Sequence, residues 1–399
     1  MPLGTPFMQL LVAAFSALLA LVGGGGSSAP TPQDEPPISP PVPVSGLMDL
    51  DSPNDLSPDQ IAEGLEEYLN STGGPAEEQV KALLAHWGLE PVANSTLVLT
   101  ADLDGDGAAE TIAVCRDTDS ATGAMGTLFV ISGTEGEYQV DDAGEEVLMP
   151  ALYAAADLNQ DGRKEIIWAS TSTGANTSYS QMNVSTWSPG RLVTYPQALA
   201  ISNLMQAEVK DGALVLTGNT RGGWGAGSAQ RPQILTYAWE DNILMLKDKQ
   251  FAPSEYSYHR LQDGLWAEEM GKLDEAAAAY AQAAEPDREV LPPGDSVSDE
   301  WRSKLADAVR TFSQLRMALL KIDAGAPQEQ VDQVLGSSSG PYAGLTRAAL
   351  GKKDRQEVCI AVMLWAEEYP EFIQALSSPR GYANPQWAPD SLCGPMPTF

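Results

Sequence analysis

The sequence predicts an α+β multidomain chain, a β-rich meander followed by an all-α domain of helical hairpins. Three observations carry this. Residues 97–246 are short β-branched or aromatic runs broken by Gly, Asp and Asn. Beyond about Tyr256 the composition turns to Ala, Leu, Glu and Gln. Inside the β-region an apolar, acidic, apolar pattern recurs at an offset of 55 residues, with Leu97 falling on Leu152.

Apolar residues make up 43% of the 399, enough for two or three domains with real cores. Against 54 acidic side chains stand 23 basic ones, a formal charge of -31, which repels polyanions and removes nucleic acid from the expected partners. Residues 7–22 are apolar apart from Gln9 and Ser16, shorter than the roughly 20 residues of a membrane span, so residues 1–23 are expected to be a signal peptide or N-terminal anchor. Residues 24–46, rich in Pro, Gly and Ser, read as a linker. The expected location is extracytoplasmic, secreted or tethered at the cell surface, with membrane contact only through that first segment. An oxidising compartment permits disulfides. Cys359 and Cys393, close together near the C-terminus, are the expected pair, and Cys115, in the apolar run 111–115, the expected free thiol, although spacing alone does not fix the pairing.

A helical lead-in is expected over 47–92, where Ile61, Leu65, Tyr68 and Leu69, then Val80, Leu83, Leu84 and Trp87, fall at helical spacing before Gly88. The β-region, 93–252, has its strongest strand signals at 128–131, 166–169, 214–217 and 234–239. Its repeat length suits a propeller blade of four short strands. A closed ring needs about four blades or more and only two repeats are visible, so the expectation is an incomplete propeller-like meander. The α-helical domain is expected over 253–399, with helices at 300–321, 327–335 and 355–368.

The chemistry lies in the two acidic loops. Asp102, Asp104, Asp106 and Glu110 occupy positions one, three, five and nine, with Gly107 at six and the Ala108 carbonyl at seven; Asp157, Asn159, Asp161, Gly162, the Arg163 carbonyl and Glu165 repeat the set. Alternating carboxylates let one turn aim several hard oxygens at a point, and calcium, which accepts six to eight oxygens in loose geometry, suits such a turn better than magnesium. Two calcium sites are therefore expected. An EF-hand would need a bidentate Glu at position twelve and an exiting helix, but Ala113 and Trp168 stand there within strand-like runs.

The segments DLDGDGAAE and DLNQDGRKE resemble the FG-GAP or VCBS-type repeats of integrin-like propellers and bacterial surface proteins. The resemblance covers about residues 97–172 and implies metal held between blade strands in a structural role. It departs from the family in having Glu rather than Asp at position nine. Gly271, Ala276, Tyr280, Ala283 and Pro286 resemble the second half of a tetratricopeptide repeat, whose small residues let two helices pack closely. Neither histidine, His86 nor His259, sits in a nucleophile, metal or base motif, and no GxSxG elbow, Walker loop, GxGxxG after a strand or HExxH helix is present. The Gly222-Gly223-Trp224-Gly225 turn is more simply a Trp folded over its own strands than a ligand loop. These observations favour an exported, calcium-stabilised, non-enzymatic scaffold or binding protein with a protein or glycan partner. The alternative is an extracytoplasmic hydrolase of a surface polymer whose paired carboxylates leave no local signature.

Overall fold

Ser57 starts the first helix of the computed structural model, which describes residues 46–394 apart from 48–49, 51, 55, 93, 118–123, 143–145, 175–177, 197–198, 221–229, 294–296 and 381–385. The expected signal or anchor segment, nearly all of the linker and the turn at Gly222 lie outside the described residues. The Ser57 side chain and Gln60 cap each other's backbone N–H groups, and helix α1, Pro58–Thr72, runs until Gly73 at φ 69 ends it. Helix α2, Ala76–His86, follows. Ile61, Leu65, Leu69, Val80, Leu83 and Leu84 form their buried face, which with Trp87 packs against one side of the first sheet.

That sheet is antiparallel, in the order β1 (Val98–Ala101), β2 (Glu110–Arg116), β3 (Met125–Ser132), β4 (Gln139–Asp142), with β5 (Val147–Leu148) also on β3. The central strands are apolar on both sides because both sides are covered. Ala113, Cys115, Phe129 and Ile131 face the helices. Ile112, Val114, Leu128 and Val130 meet Leu152, Ile166, Trp168 and Trp187 of the second sheet. Burial pushes the Cys115 thiol up to about 12, which leaves it protonated and unreactive.

The second sheet, also antiparallel, comprises β6 (Ala151–Ala156), β7 (Glu165–Thr173), β8 (Ser178–Ser188), β9 (Arg191–Thr194), β10 (Leu199–Lys210), β11 (Ala213–Asn219), β12 (Pro232–Glu240) and β13 (Ile243–Phe251). Its order is β13-β12-β11-β10-β8-β7-β6. The long strand β8 serves two neighbours end to end: Tyr179 to Met182 pair with β10, and Ser185 to Ser188 pair with β9. Ile167, Ala169, Met182, Val184, Leu214, Leu216 and Leu235 form a core on the face away from the first sheet. Asp141 of β4 ties the sheets together, accepting from Trp187 Nε1 at 3.0 Å and from the Gly190 N–H at 3.0 Å.

Among the described residues seven α-helices follow: α3 (Ser257–Glu269), α4 (Leu273–Ala283), α5 (Asp299–Asp323), α6 (Gln328–Gly336), α7 (Gly344–Ala349), α8 (Arg355–Glu368) and α9 (Pro370–Ser377). They share one core around Tyr258, Tyr280, Phe312 and Phe372. Gly264, mid-helix in α3, is there because a Cβ would stand 2.4 Å from the Tyr280 ring. The Tyr280 hydroxyl donates to Glu268 at 2.8 Å, and that carboxylate is also bound by Arg316 and Arg355. Cys359 of α8 and Cys393 are joined in a disulfide, with Cα atoms 5.8 Å apart. The whole is a mixed α+β structure with two antiparallel sheets and no closed barrel among the described residues, none of whose helices is long and apolar enough to cross a membrane.

Where β13 meets α3, the Lys249 ammonium lies 4.7 Å from the Trp266 ring, and Trp266 Nε1 donates to the Lys249 carbonyl at 3.1 Å. Burial pulls this amine down from 10.5 to about 8. A lowered lysine pKa means that between about pH 8 and 10.5 the unfolded chain binds the proton that the folded one has lost, so stability rises with pH across that window. In urea melts the wild type should gain about 1 kcal/mol between pH 8 and 10 relative to Lys249→Met, a figure reduced for the partial exposure of the side chain. Parallel pH profiles for the two proteins would rule this out.

Candidate metal centre

Each acidic loop is the turn of a hairpin, and the two hairpins have the same register. Ala101 opposite Glu110 closes residues 102–109, and Ala156 opposite Glu165 closes residues 157–164. The backbones match as well: position four is left-handed in both (Gly105 φ 82, Gln160 φ 62), and position six is glycine at φ 90 in both. Gln160 accepts a conformation that costs a side-chain-bearing residue about 1 kcal/mol or more. The turn geometry is therefore imposed on it by the rest of the loop.

Position two anchors each turn. Leu103 is buried in the core between the two sheets, and Leu158 in the core on the other face of the second sheet. Their N–H groups donate to the glutamate of position nine: Leu103 to Glu110 Oε2 at 2.7 Å, Leu158 to Glu165 Oε2 at 2.8 Å. Position one organises the remainder. Asp102 accepts from the N–H groups of Gly105 at 2.8 Å and Gly107 at 3.1 Å, and Asp157 accepts from Asp161 at 3.1 Å and Gly162 at 3.0 Å. Position five closes on position seven, Asp106 accepting from Ala108 at 2.7 Å and Asp161 from Arg163 at 2.8 Å.

Asp102, Asp104 and Asp106 each offer a carboxylate oxygen within 4.8 Å of the others. Two unit charges at that separation repel by about 1 kcal/mol in water and by about 3 to 4 at the effective dielectric of a protein surface, so three pairs favour a cation between them. Glu110 and Glu165 add charge from below: they are 4% and 0% exposed. Burial pushes the Glu110 carboxyl above its usual range, with Asp104 and Asp106 adding to the effect and the Leu103 N–H opposing it. Glu165 is raised in the same way, by burial first and then by Asp161 and Asp157, against the Leu158 N–H. The donor set is all oxygen, partly buried and rich in carboxylate, which fits a hard divalent ion. In the second loop Asn159 stands where the first has Asp104, and its amide donates to Glu165 Oε1 at 2.7 Å and to Asp161 at 3.2 Å.

The loops are also neighbours. A Cβ at Gly105 would come 3.4 Å from the carbonyl oxygen of Gly162 and 4.0 Å from Cγ of Arg163. Sequence reasoning placed the ten residues in two separate turns; their adjacency depends on how the sheets stack, which the local spacing does not encode. It also missed Tyr195, whose phenol is raised by burial and then by the Glu165 carboxylate, and which hydrogen-bonds Asn159. No signal near residue 195 links it to the loop.

The two histidines stand apart from this cluster in the chain. His86 is exposed at the end of α2, and His259 is buried in α3 with Nδ1 2.7 Å from Ser254 Oγ. Comparison with protein-family profiles, with curated proteins and with solved structures yields no match to this chain.

Proposed function

We propose that this chain is an exported, non-enzymatic scaffold or binding protein of the cell envelope whose β-region is stiffened by two calcium ions. The observation that carries this reading is the pair of adjacent hairpin turns, alike in register, φ pattern and buried position-nine glutamate. Asp102, Asp104, Asp106, the Ala108 carbonyl and Glu110 would hold one ion; Asp157, Asn159, Asp161, the Arg163 carbonyl and Glu165 the other. A bound dication supplies the positive charge that the clustered carboxylates lack, and so converts mutual repulsion into a crosslink of each turn. Successive antiparallel meanders joined by short turns support the incomplete propeller-like reading of this region. The close approach of α3 and α4 at Gly264 and Tyr280 supports a tetratricopeptide-like pair acting as a packing module beside it. A protein or glycan is the expected partner.

Calorimetric titration of calcium into chelator-stripped protein should give two binding events. At a free concentration about a hundred times the Kd each adds about 2.7 kcal/mol, so the melting temperature should rise by roughly 5 °C or more. An Asp104→Ala, Asp161→Ala double variant should lose both effects. If millimolar calcium neither binds nor stabilises the wild type, the loops are ordinary turns and the proposal fails.

A further inference from the structure

Where the last two strands hand the chain to α3, a shallow cavity of about 480 Å³ is lined by Arg231, Pro232, Ser254, Tyr256 and Arg260 among others. Arg231 is 5% exposed and lies over the Phe251 ring at 4.1 Å. Its Nη atoms are used internally, donating to the Ala252 carbonyl at 3.4 Å, the His259 carbonyl at 3.2 Å and Asp263. Arg260 Nη1 donates to the other oxygen of the same Asp263 at 3.1 Å. Two guanidinium ions thus share one carboxylate at the buried side of the cavity, and the other acidic residue lining it, Glu255, is exposed at the rim. In both arginines the Nε–H is buried and has no hydrogen-bond partner. Leaving such donors dry costs about 1–3 kcal/mol each, so they are groups in want of an acceptor.

Helix geometry does not account for the site, since the Ser257 and Tyr258 N–H groups are already given to the carbonyls of Glu289 and Val290 at 2.8 and 3.2 Å. The acceptor must therefore come to the arginines themselves. Two cations sharing Asp263, with exposed Glu255 at the rim partly offsetting them, match a monoanion better than a phosphate dianion. The walls supplied by Pro232, Ala252, Pro253 and Tyr256 favour an apolar body behind the charge, and the volume suits a small organic molecule. We infer that this cavity is a binding site for a small organic carboxylate, its oxygens facing Arg231 and Arg260 and its apolar part against the proline and tyrosine walls. The exposed Glu255 at the rim opposes such a ligand.

The test is titration of the full chain, at fixed low salt, with benzoate and with its neutral isostere benzamide, followed by calorimetry and ligand-observed NMR. Benzoate should bind saturably with a Kd of about 1 mM or tighter, and benzamide at least about tenfold more weakly. Arg260→Gln, chosen because that side chain is 29% exposed and its loss should leave the fold intact, should weaken benzoate by about tenfold or more with little change in melting temperature. Glu255→Gln, at the exposed rim, should tighten it about twofold. No saturation by about 20 mM benzoate, equal binding of benzamide, or unchanged affinity in Arg260→Gln would each overturn the assignment.

Discussion

Arg316→Met should lose about 4 kcal/mol of unfolding free energy in urea melts, one of the largest single-site effects expected in this protein. The Arg316 side chain is 3% exposed and reaches Glu268 from Nη2 at 2.8 Å, while Nη1 donates to the carbonyls of Leu392 at 3.1 Å and Gly394 at 2.8 Å. Methionine matches the stem but leaves those two carbonyls without this donor. It also leaves the Glu268 charge to the Tyr280 hydroxyl and to Arg355, whose contact is long at 3.5 Å. Breaking one side of a buried pair strands the other charge, which is why the loss should exceed that of an exposed ion pair several-fold. Glu268→Gln keeps the acceptor and should cost less, about 1–2 kcal/mol. The Arg316→Met variant should also be reduced faster at Cys359–Cys393, because the carbonyls it releases flank Cys393. A loss under about 1 kcal/mol would mean that the network relaxes around a vacancy and that Arg316 does not clasp the C-terminal segment.

Glu165→Gln should split the protein's behaviour according to calcium. Glu165 is fully buried, accepting from Leu158 at 2.8 Å and from Asn159 at 2.7 Å, and among the described residues no basic side chain forms an ion pair with it. Without metal, glutamine keeps an acceptor for Leu158 and removes a desolvated charge, so the chelator-stripped variant should melt no lower than the wild type. With calcium, the loss of a charged donor should weaken the second site by about tenfold to a hundredfold and remove roughly half of the calcium-induced rise in melting temperature. Paired melts with and without calcium distinguish this from a packing defect, which would lower both. If the variant retained the full calcium-induced gain, Glu165 would be a structural cap for Leu158 and no part of an ion site.

Much of this was legible in the chain. Acidic residues at alternating positions, followed by an apolar run, located both turns, because a hairpin loop is a local object whose φ requirements are written in its own glycines. The strand signals at 128–131 and 166–169 lie within β3 and β7, whose two-sided burial demands continuous apolar runs. What escaped was non-local or polar. Strand β13 carries Lys247, Asp248 and Lys249 and does not read as a strand, yet it pairs with β12 along its length. Nothing local explains Gly264 in the middle of a helix; the reason is the Tyr280 ring of the next helix packed against it. Arg231 and Arg316 are scattered single residues in the sequence, and nothing near them announces that each would be buried with a carboxylate more than thirty residues away.

The strand order has a consequence for how the protein reaches this state. Both sheets are built almost wholly from strands adjacent in the chain; the departures are β5 reaching past β4 to β3, and β10 reaching past β9 to β8. Such connectivity closes only short loops at each step, so the β-region can zip hairpin by hairpin, quickly and from its N-terminal end, while the remainder of the chain is still being delivered. The helical region is the opposite case. Its ties from Arg316 to residues 76 and 78 positions later, and from Cys359 to a cysteine 34 positions later, cannot form until residues 392–394 have arrived. The β-region can therefore set first, while the helical region locks only once residues 392–394 are in place.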